Sequence, residues 1–173
     1  MCPVTARQAL ENAEGAWPSD RVIVAGQSLG GLAAAQVSLL RPDVAGTGIA
    51  QSGSYWYAAD RAPGTGTGTL LRQIASLPAD ARTETGGRVI IQVGAEEGAM
   101  IDGSERLAAL LEGTPALLAH QMFRGGHDYA WWRHGLSHAL DLLEAEAQAP
   151  TAPRWRALDL QSQRNLTKYV KNP

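Results

Sequence analysis

Val24-Ala-Gly-Gln-Ser-Leu-Gly-Gly-Leu32 is the stretch on which the reading of this chain turns. The residues leading into it, Arg21-Val-Ile-Val-Ala25, are short, apolar and rich in β-branched side chains, the pattern of a buried strand. From Leu29 to Leu40, apolar residues at Leu29, Leu32, Ala33, Leu39 and Leu40 keep near-helical spacing, interrupted by Gln36, and Pro42 stops the run. Gly26-Gln-Ser-Leu-Gly30 lies between them and matches G-x-S-x-G. A strand before and a helix after give that motif its meaning as a nucleophile elbow. A serine hydroxyl is a poor nucleophile until it is exposed, oriented and hydrogen-bonded to a base. A sharp turn at a strand end does the first two, which makes Ser28 the candidate nucleophile. The flanking glycines are expected to be required because the turn leaves no room for side chains. The helix start favours negative charge, and the Leu29 backbone N–H is placed to donate to an oxyanion.

Working outward, apolar runs alternate with helical patterns, the signature of an α/β fold with a parallel sheet. Strands are expected at Gly46–Gln51, Arg88–Val93 and Leu117–Phe123, and helices at Thr5–Glu14, Leu70–Leu77, Ser104–Glu112 and Ala130–Ala147. The last helix carries an apolar line of Trp132, Leu136, Ala139, Leu140 and Leu143. Ser52–Arg61 reads as an aromatic-rich loop, and Gly64-Thr-Gly-Thr-Gly-Thr69 as a low-complexity surface loop. The body spans residues 1–148. Residues 149–173 read as an appended tail of unassigned role, which holds both lysines, Lys168 and Lys171, while the body uses arginine alone. Asn165-Leu-Thr167 matches a glycosylation sequon by chance.

The 173 residues suffice for one domain with a core. Fifteen basic against 17 acidic residues provide no general basic field, which argues against nucleic-acid and membrane-surface binding. A single cysteine, Cys2, forms no internal disulfide, and no signal peptide or membrane span is visible, so a cytoplasmic location is expected.

A serine nucleophile needs a base, and His127 in Gly125-Gly-His-Asp128 follows the fourth expected strand in a glycine-freed loop. Imidazole has an ordinary pKa of about 6.5, suited to taking and returning a proton near neutrality. His120 falls within that strand and reads as a packed or edge residue. His134 and His138 stand four apart on the last helix without the acid of an H-E-x-x-H pattern, so no metal site is expected. The acid that orients the imidazole should follow the third strand. Glu96, Glu97 and Asp102 all qualify by position. Asp128 is a poor candidate because a sequence neighbour does not readily reach round to the ring.

These residues resemble one family. Val24-Ala-Gly-Gln-Ser-Leu-Gly-Gly-Leu32, Gln51-Ser-Gly-Ser-Tyr-Trp56 and Gly125-Gly-His-Asp128 with Trp132-Arg133 and Gly135-Leu136 are similar to blocks of the enterochelin (enterobactin) esterases, over about residues 20–145. The resemblance implies a partial α/β-hydrolase-like three-layer sandwich, with about four parallel strands and flanking helices. It implies a serine esterase that opens the trilactone scaffold of a ferric catecholate siderophore, with no cofactor. Carried over by position, Ser28 is the nucleophile, His127 the base and Glu97 the acid. A bulky anionic catecholate calls for cations and aromatic surfaces, and Tyr55, Trp56, Trp132 and Arg133 are candidates to supply them. The alternatives are a general carboxylic-ester hydrolase or acyltransferase, from the broader group that includes mycolyltransferases and esterase D, and an inactive fragment acting as a binding module.

The match starts just before the nucleophile strand, whereas a full α/β-hydrolase core has earlier strands, one of whose loops gives a second oxyanion donor. Losing one such donor costs about 2.7–4 kcal/mol. The strand at Arg21–Ala25 is accordingly expected to have one bare edge that invites self-association.

Overall fold

The computed structural model describes residues 17–58, 67–78 and 86–148. A 3-10 turn, Ser19–Arg21, leads into β1, Ile23–Gln27, and α1, Leu29–Leu40. Then come β2, Thr47–Gln51, α2, Thr69–Ser76, and β3, Arg88–Gly94. Helix α3, Ala99–Leu111, strand β4, Leu117–Phe123, and helix α4, Tyr129–Gln148, complete the order. The expected helix at 5–14, the first half of the glycine–threonine loop and the tail from 149 lie outside the described residues.

All four strands are parallel, in the order β1-β2-β3-β4. Residues of β2 and β3 alternate between two apolar layers, as strand geometry requires. Ala50, Val89 and Ile91 meet Leu32, Ala35 and Leu39 of α1, Leu70, Leu71 and Ile74 of α2, and Leu107 and Leu111 of α3. Ile49 and Ile90 meet Ala139 and flanking leucines of α4 on the other face. Three helices cover one face and one covers the other, which is the three-layer α/β-hydrolase-like arrangement expected. No described helix is long and apolar enough to cross a membrane.

Two element starts and the buried face of α4 depart most from expectation. Strand β1 starts two residues late because the Ser19 carbonyl accepts both Val22 N–H, at 3.0 Å, and Gly46 N–H, at 2.7 Å, closing a turn over Arg21. Helix α3 starts five residues early, at Ala99. Gly103, a weak helix former, hid that first turn. Its missing side chain serves packing, since a Cβ there would stand 3.2 Å from Tyr55 Cβ. On α4, Leu140 is 47% exposed because it falls one residue past the buried Ala139 and so off the stripe. Trp131 is buried instead and stacks on Phe123, with centroids 5.6 Å apart.

One feature of the sheet was not read from sequence. Gln27, Gln51, Gln92 and Gln121 stand in register across all four strands. Their amides form a single row: Gln27 Nε2 donates to Gln51 Oε1 at 2.9 Å, Gln51 Nε2 to Gln92 Oε1 at 2.9 Å, and Gln92 Nε2 to Gln121 Oε1 at 2.8 Å. Gln121 Nε2 meets His138 Nδ1 at 3.1 Å. The spare protons of the two central amides reach α4, at Trp132 O, 2.7 Å, and Gly135 O, 2.8 Å. A Cβ on Gly135 would come within 2.9 Å of both central glutamine side chains, so the helix approaches this closely only with glycine there. Each buried amide left unpaired would cost about 1–3 kcal/mol, so the row fixes α4 in its position over the sheet.

Candidate active site

The C-terminal ends of parallel strands are where an α/β sheet builds its sites. Ser28 follows β1, Ser52 follows β2, Glu97 follows β3 and His127 follows β4, so all four stand at one end of the sheet.

Ser28 is the N-cap of α1, with φ 56° and ψ −120°. That is a left-handed conformation natural to glycine, and a serine adopting it is held there by its surroundings. Its N–H donates to Gln51 O at 3.0 Å, and its carbonyl accepts from Leu32 N–H at 3.0 Å and Ser54 N–H at 3.1 Å. The expected need for glycines flanking the serine holds at Gly26 and fails at Gly30, and Gly31 is crowded as well. A Cβ on Gly26 would stand 2.4 Å from the Gly30 backbone, and one on Gly31 2.5 Å from Gln51 O, but one on Gly30 meets nothing within 4 Å. The crowding lies where helix meets strands, and Gly30 points away from both. Leu29 is 56% exposed, and its N–H is among the first amides of a helix, which the helix itself leaves unsatisfied.

Of the three carboxylates that follow β3, Glu97 reaches the histidine. Its Oε2 lies 2.7 Å from His127 Nδ1. The Glu97 side chain is 0% exposed and the His127 side chain 41% exposed. Glu97 Oε1 accepts from Gly94 N–H at 2.8 Å and from Ser52 Oγ at 2.5 Å. Glu96 and Asp102 are exposed. Asp128 Oδ1 accepts from Ala130 N–H at 2.8 Å, which ties it to the start of α4. The loops carrying Glu97 and His127 are stitched together, with Glu96 N–H donating to Gly125 O at 2.9 Å. A Cβ on Gly94 would stand 2.4 Å from that same carbonyl. The Trp131 indole N–H donates to Gly126 O, holding the loop from the helix side.

The nucleophile end is looser. Among the described residues the side-chain partner of Ser28 Oγ is Ser54 Oγ, at 3.3 Å, with His127 across the same end of the sheet. Catalytic hydrogen bonds are often long before substrate binds. Ser52 and Ser54 belong to the Gln51–Trp56 block, whose local sequence assigns neither a role. The structure sets Ser52 against Glu97 and Ser54 against Ser28.

The aromatic and cationic candidates scatter. Trp56 is 40% exposed, and with Gly53, Met100, Asp102 and Arg106 it lines a half-open cleft of about 140 Å³ beside the first turns of α3. Arg106 was not singled out from sequence, because a lone arginine on a helix carries no signal there. Tyr55 also borders the cleft but is fully buried, its hydroxyl lacking a hydrogen-bond partner among the described residues, and burial pushes its phenol well above the ordinary range. Trp132 is 6% exposed, and its indole N–H donates to Ser52 Oγ at 2.8 Å. Arg133 is exposed on α4. His120 is a β4 residue, and burial pushes its imidazole below the ordinary range, with Glu105 opposing.

The parallel sheet, the strand–elbow–helix unit and the three helices on one face define an α/β-hydrolase-like domain. No protein-family model matches the chain. Among individual proteins, it is 34% identical over 122 residues to an iron(III) enterobactin esterase of Escherichia coli, a match covering 70% of this chain and 29% of that protein. It is 33% identical over 131 residues to an iron(III) salmochelin esterase of Escherichia coli, covering 72% of this chain and 31% of that protein. The enterobactin esterase of Shigella flexneri, solved in the presence of enterobactin, superposes with a TM-score of 0.61 at 33% identity, covering 74% of this chain and 31% of that one. A ferulic acid esterase at 17% identity and TM-score 0.58 shares the fold. The chain is a homologue of the enterochelin (enterobactin) esterases, as its motifs implied, and it spans about 30% of the length of these relatives.

Proposed function

We propose that this chain carries the catalytic centre of a serine esterase acting on a catecholate siderophore. The observation that carries the reading is the buried Glu97 carboxylate 2.7 Å from His127 Nδ1, at the same sheet end as a serine in an elbow conformation. Ser28 Oγ attacks the ester carbonyl while His127 Nε2 takes its proton. Glu97 holds the imidazole in the tautomer with its proton on Nδ1 and stabilises the imidazolium that forms. The Leu29 N–H donates to the developing oxyanion. His127 then returns the proton to the leaving alcohol, and water repeats the sequence on the acyl-enzyme.

The substrate class is supported by the names of the relatives, which are esterases of enterobactin and salmochelin. Trp56 and Arg106 at the cleft offer an aromatic face and a cation to an anionic catecholate, while Tyr55 is fully buried and Arg133 does not line the cleft. A fluorophosphonate probe tests the chemistry, because it labels only an activated serine. Labelling of the wild type that disappears in Ser28→Ala, together with ring-opening of ferric enterobactin, is the expected result. Labelling with turnover of simple aryl esters alone points to a general ester hydrolase. An unlabelled Ser28 overturns the enzymatic reading and leaves a binding module.

A further inference from the structure

We infer that Ser52 is a positioning residue for the Glu97–His127 pair, held in its own place by the Trp132 indole. The inference rests on the reading of Glu97 and His127 as acid and base. Ser52 is the first residue after β2, with φ 47° and no solvent exposure. A hydroxyl this deeply buried cannot act on an external substrate, so its contacts are internal ones.

A serine hydroxyl has one proton to donate and two lone pairs. The Trp132 indole is a donor only, and it donates to Ser52 Oγ at 2.8 Å. An ionised Glu97 is an acceptor only, so the Ser52 proton points to Glu97 Oε1, 2.5 Å away. The direction of this relay, from indole to hydroxyl to carboxylate, is therefore set by the donor inventory. It leaves Glu97 with three donors: Gly94 N–H and Ser52 on Oε1, and His127 Nδ1 on Oε2. The terminal torsion of a glutamate side chain is broad. Two donors on one oxygen pin that torsion, and the second oxygen then faces the imidazole.

Trp132 adds a second constraint. Its ring meets the His127 ring edge-on, with centroids 4.8 Å apart and planes at 83°. Its carbonyl accepts from Gln51 Nε2 at 2.7 Å, and Gln51 is the residue before Ser52. One side chain thus touches both the imidazole and the hydroxyl that orients its carboxylate partner, while its backbone is tied to the strand that supplies that hydroxyl.

The test compares the full chain with Ser52→Ala and Trp132→Phe, the second of which keeps an aromatic ring and deletes the indole N–H. Two readouts are taken: the downfield proton resonance of His127 Nδ1–H, and steady-state hydrolysis of an aryl ester. In both variants the resonance is expected to move upfield or vanish into exchange, and kcat to fall about tenfold with KM within about twofold. If Ser52→Ala fails to fold, Trp132→Phe decides alone on the same criteria. Unchanged resonance and unchanged kcat in a folded variant overturn the inference, as does a loss confined to KM. Should the wild type hydrolyse no ester, the esterase reading fails while the His127 resonance still decides whether Ser52 orients the pair.

Discussion

Two strand–corner–helix units in this molecule share one backbone shape and use it differently. Ser28, between β1 and α1, has φ 56° and ψ −120°, and Gly98, which leads into α3 after β3, has φ 55° and ψ −119°. This conformation suits glycine and costs other residues about 1–3 kcal/mol. At the β3 corner the proposed acid, Glu97, stands one residue before the sharp turn, and glycine takes the turn itself. At the β1 corner the proposed nucleophile, Ser28, occupies the turn itself. The left-handed position carries a hydroxyl in one unit and glycine in the other. Their settings differ too. Glu97 is fully buried among three donors, whereas Ser28 has one side-chain partner at 3.3 Å among the described residues and sits at the end of the edge strand.

The largest test of this contrast is Ser28→Gly. It gives the β1 corner the residue of the β3 corner, and ester hydrolysis should fall at least about 10⁴-fold in kcat. Next is Gly31→Ala, which drives a Cβ to 2.5 Å from the Gln51 carbonyl and should cost about 3 kcal/mol in chemical denaturation, since the obstacle is backbone. The smallest is the reciprocal pair of stabilities. Gly98→Ala meets nothing within 4 Å, so its expected loss of about 1–3 kcal/mol comes from conformation alone, while Ser28→Gly should gain about 1 kcal/mol. Equal melting temperatures for Gly98→Ala and wild type would remove the strain from the comparison.

Strands β1 and β3 also show where reading a sequence succeeds and where it stops. Both are apolar runs and both read as buried strands, yet β3 is buried along nearly all its length while Ile23 in β1 is 46% exposed. Composition reports that a strand seeks cover. Its rank in the sheet reports whether it has a neighbour. Likewise Glu96, Glu97 and Asp102 are equivalent by position, and only the turn after β3 turns Glu97 inward to His127 while the other two remain exposed. Nothing near Ser52 in the chain marks it, because its partners, Glu97 and Trp132, lie 45 and 80 residues away in sequence. Four glutamines spaced irregularly along the chain gave no pattern until strand register aligned them.

Local chemistry is written in the chain itself: the elbow around Ser28, the alternation of strands and helices, and the glycine-freed loop that presents His127 all depend on near neighbours. Which carboxylate meets the imidazole, which serine braces it and which strand is left at the edge depend on how distant segments are brought together. Strand pairing and the placement of α4 over the glutamine row make those choices, because hydrogen bonds of a few ångströms act on separation in space, not along the backbone.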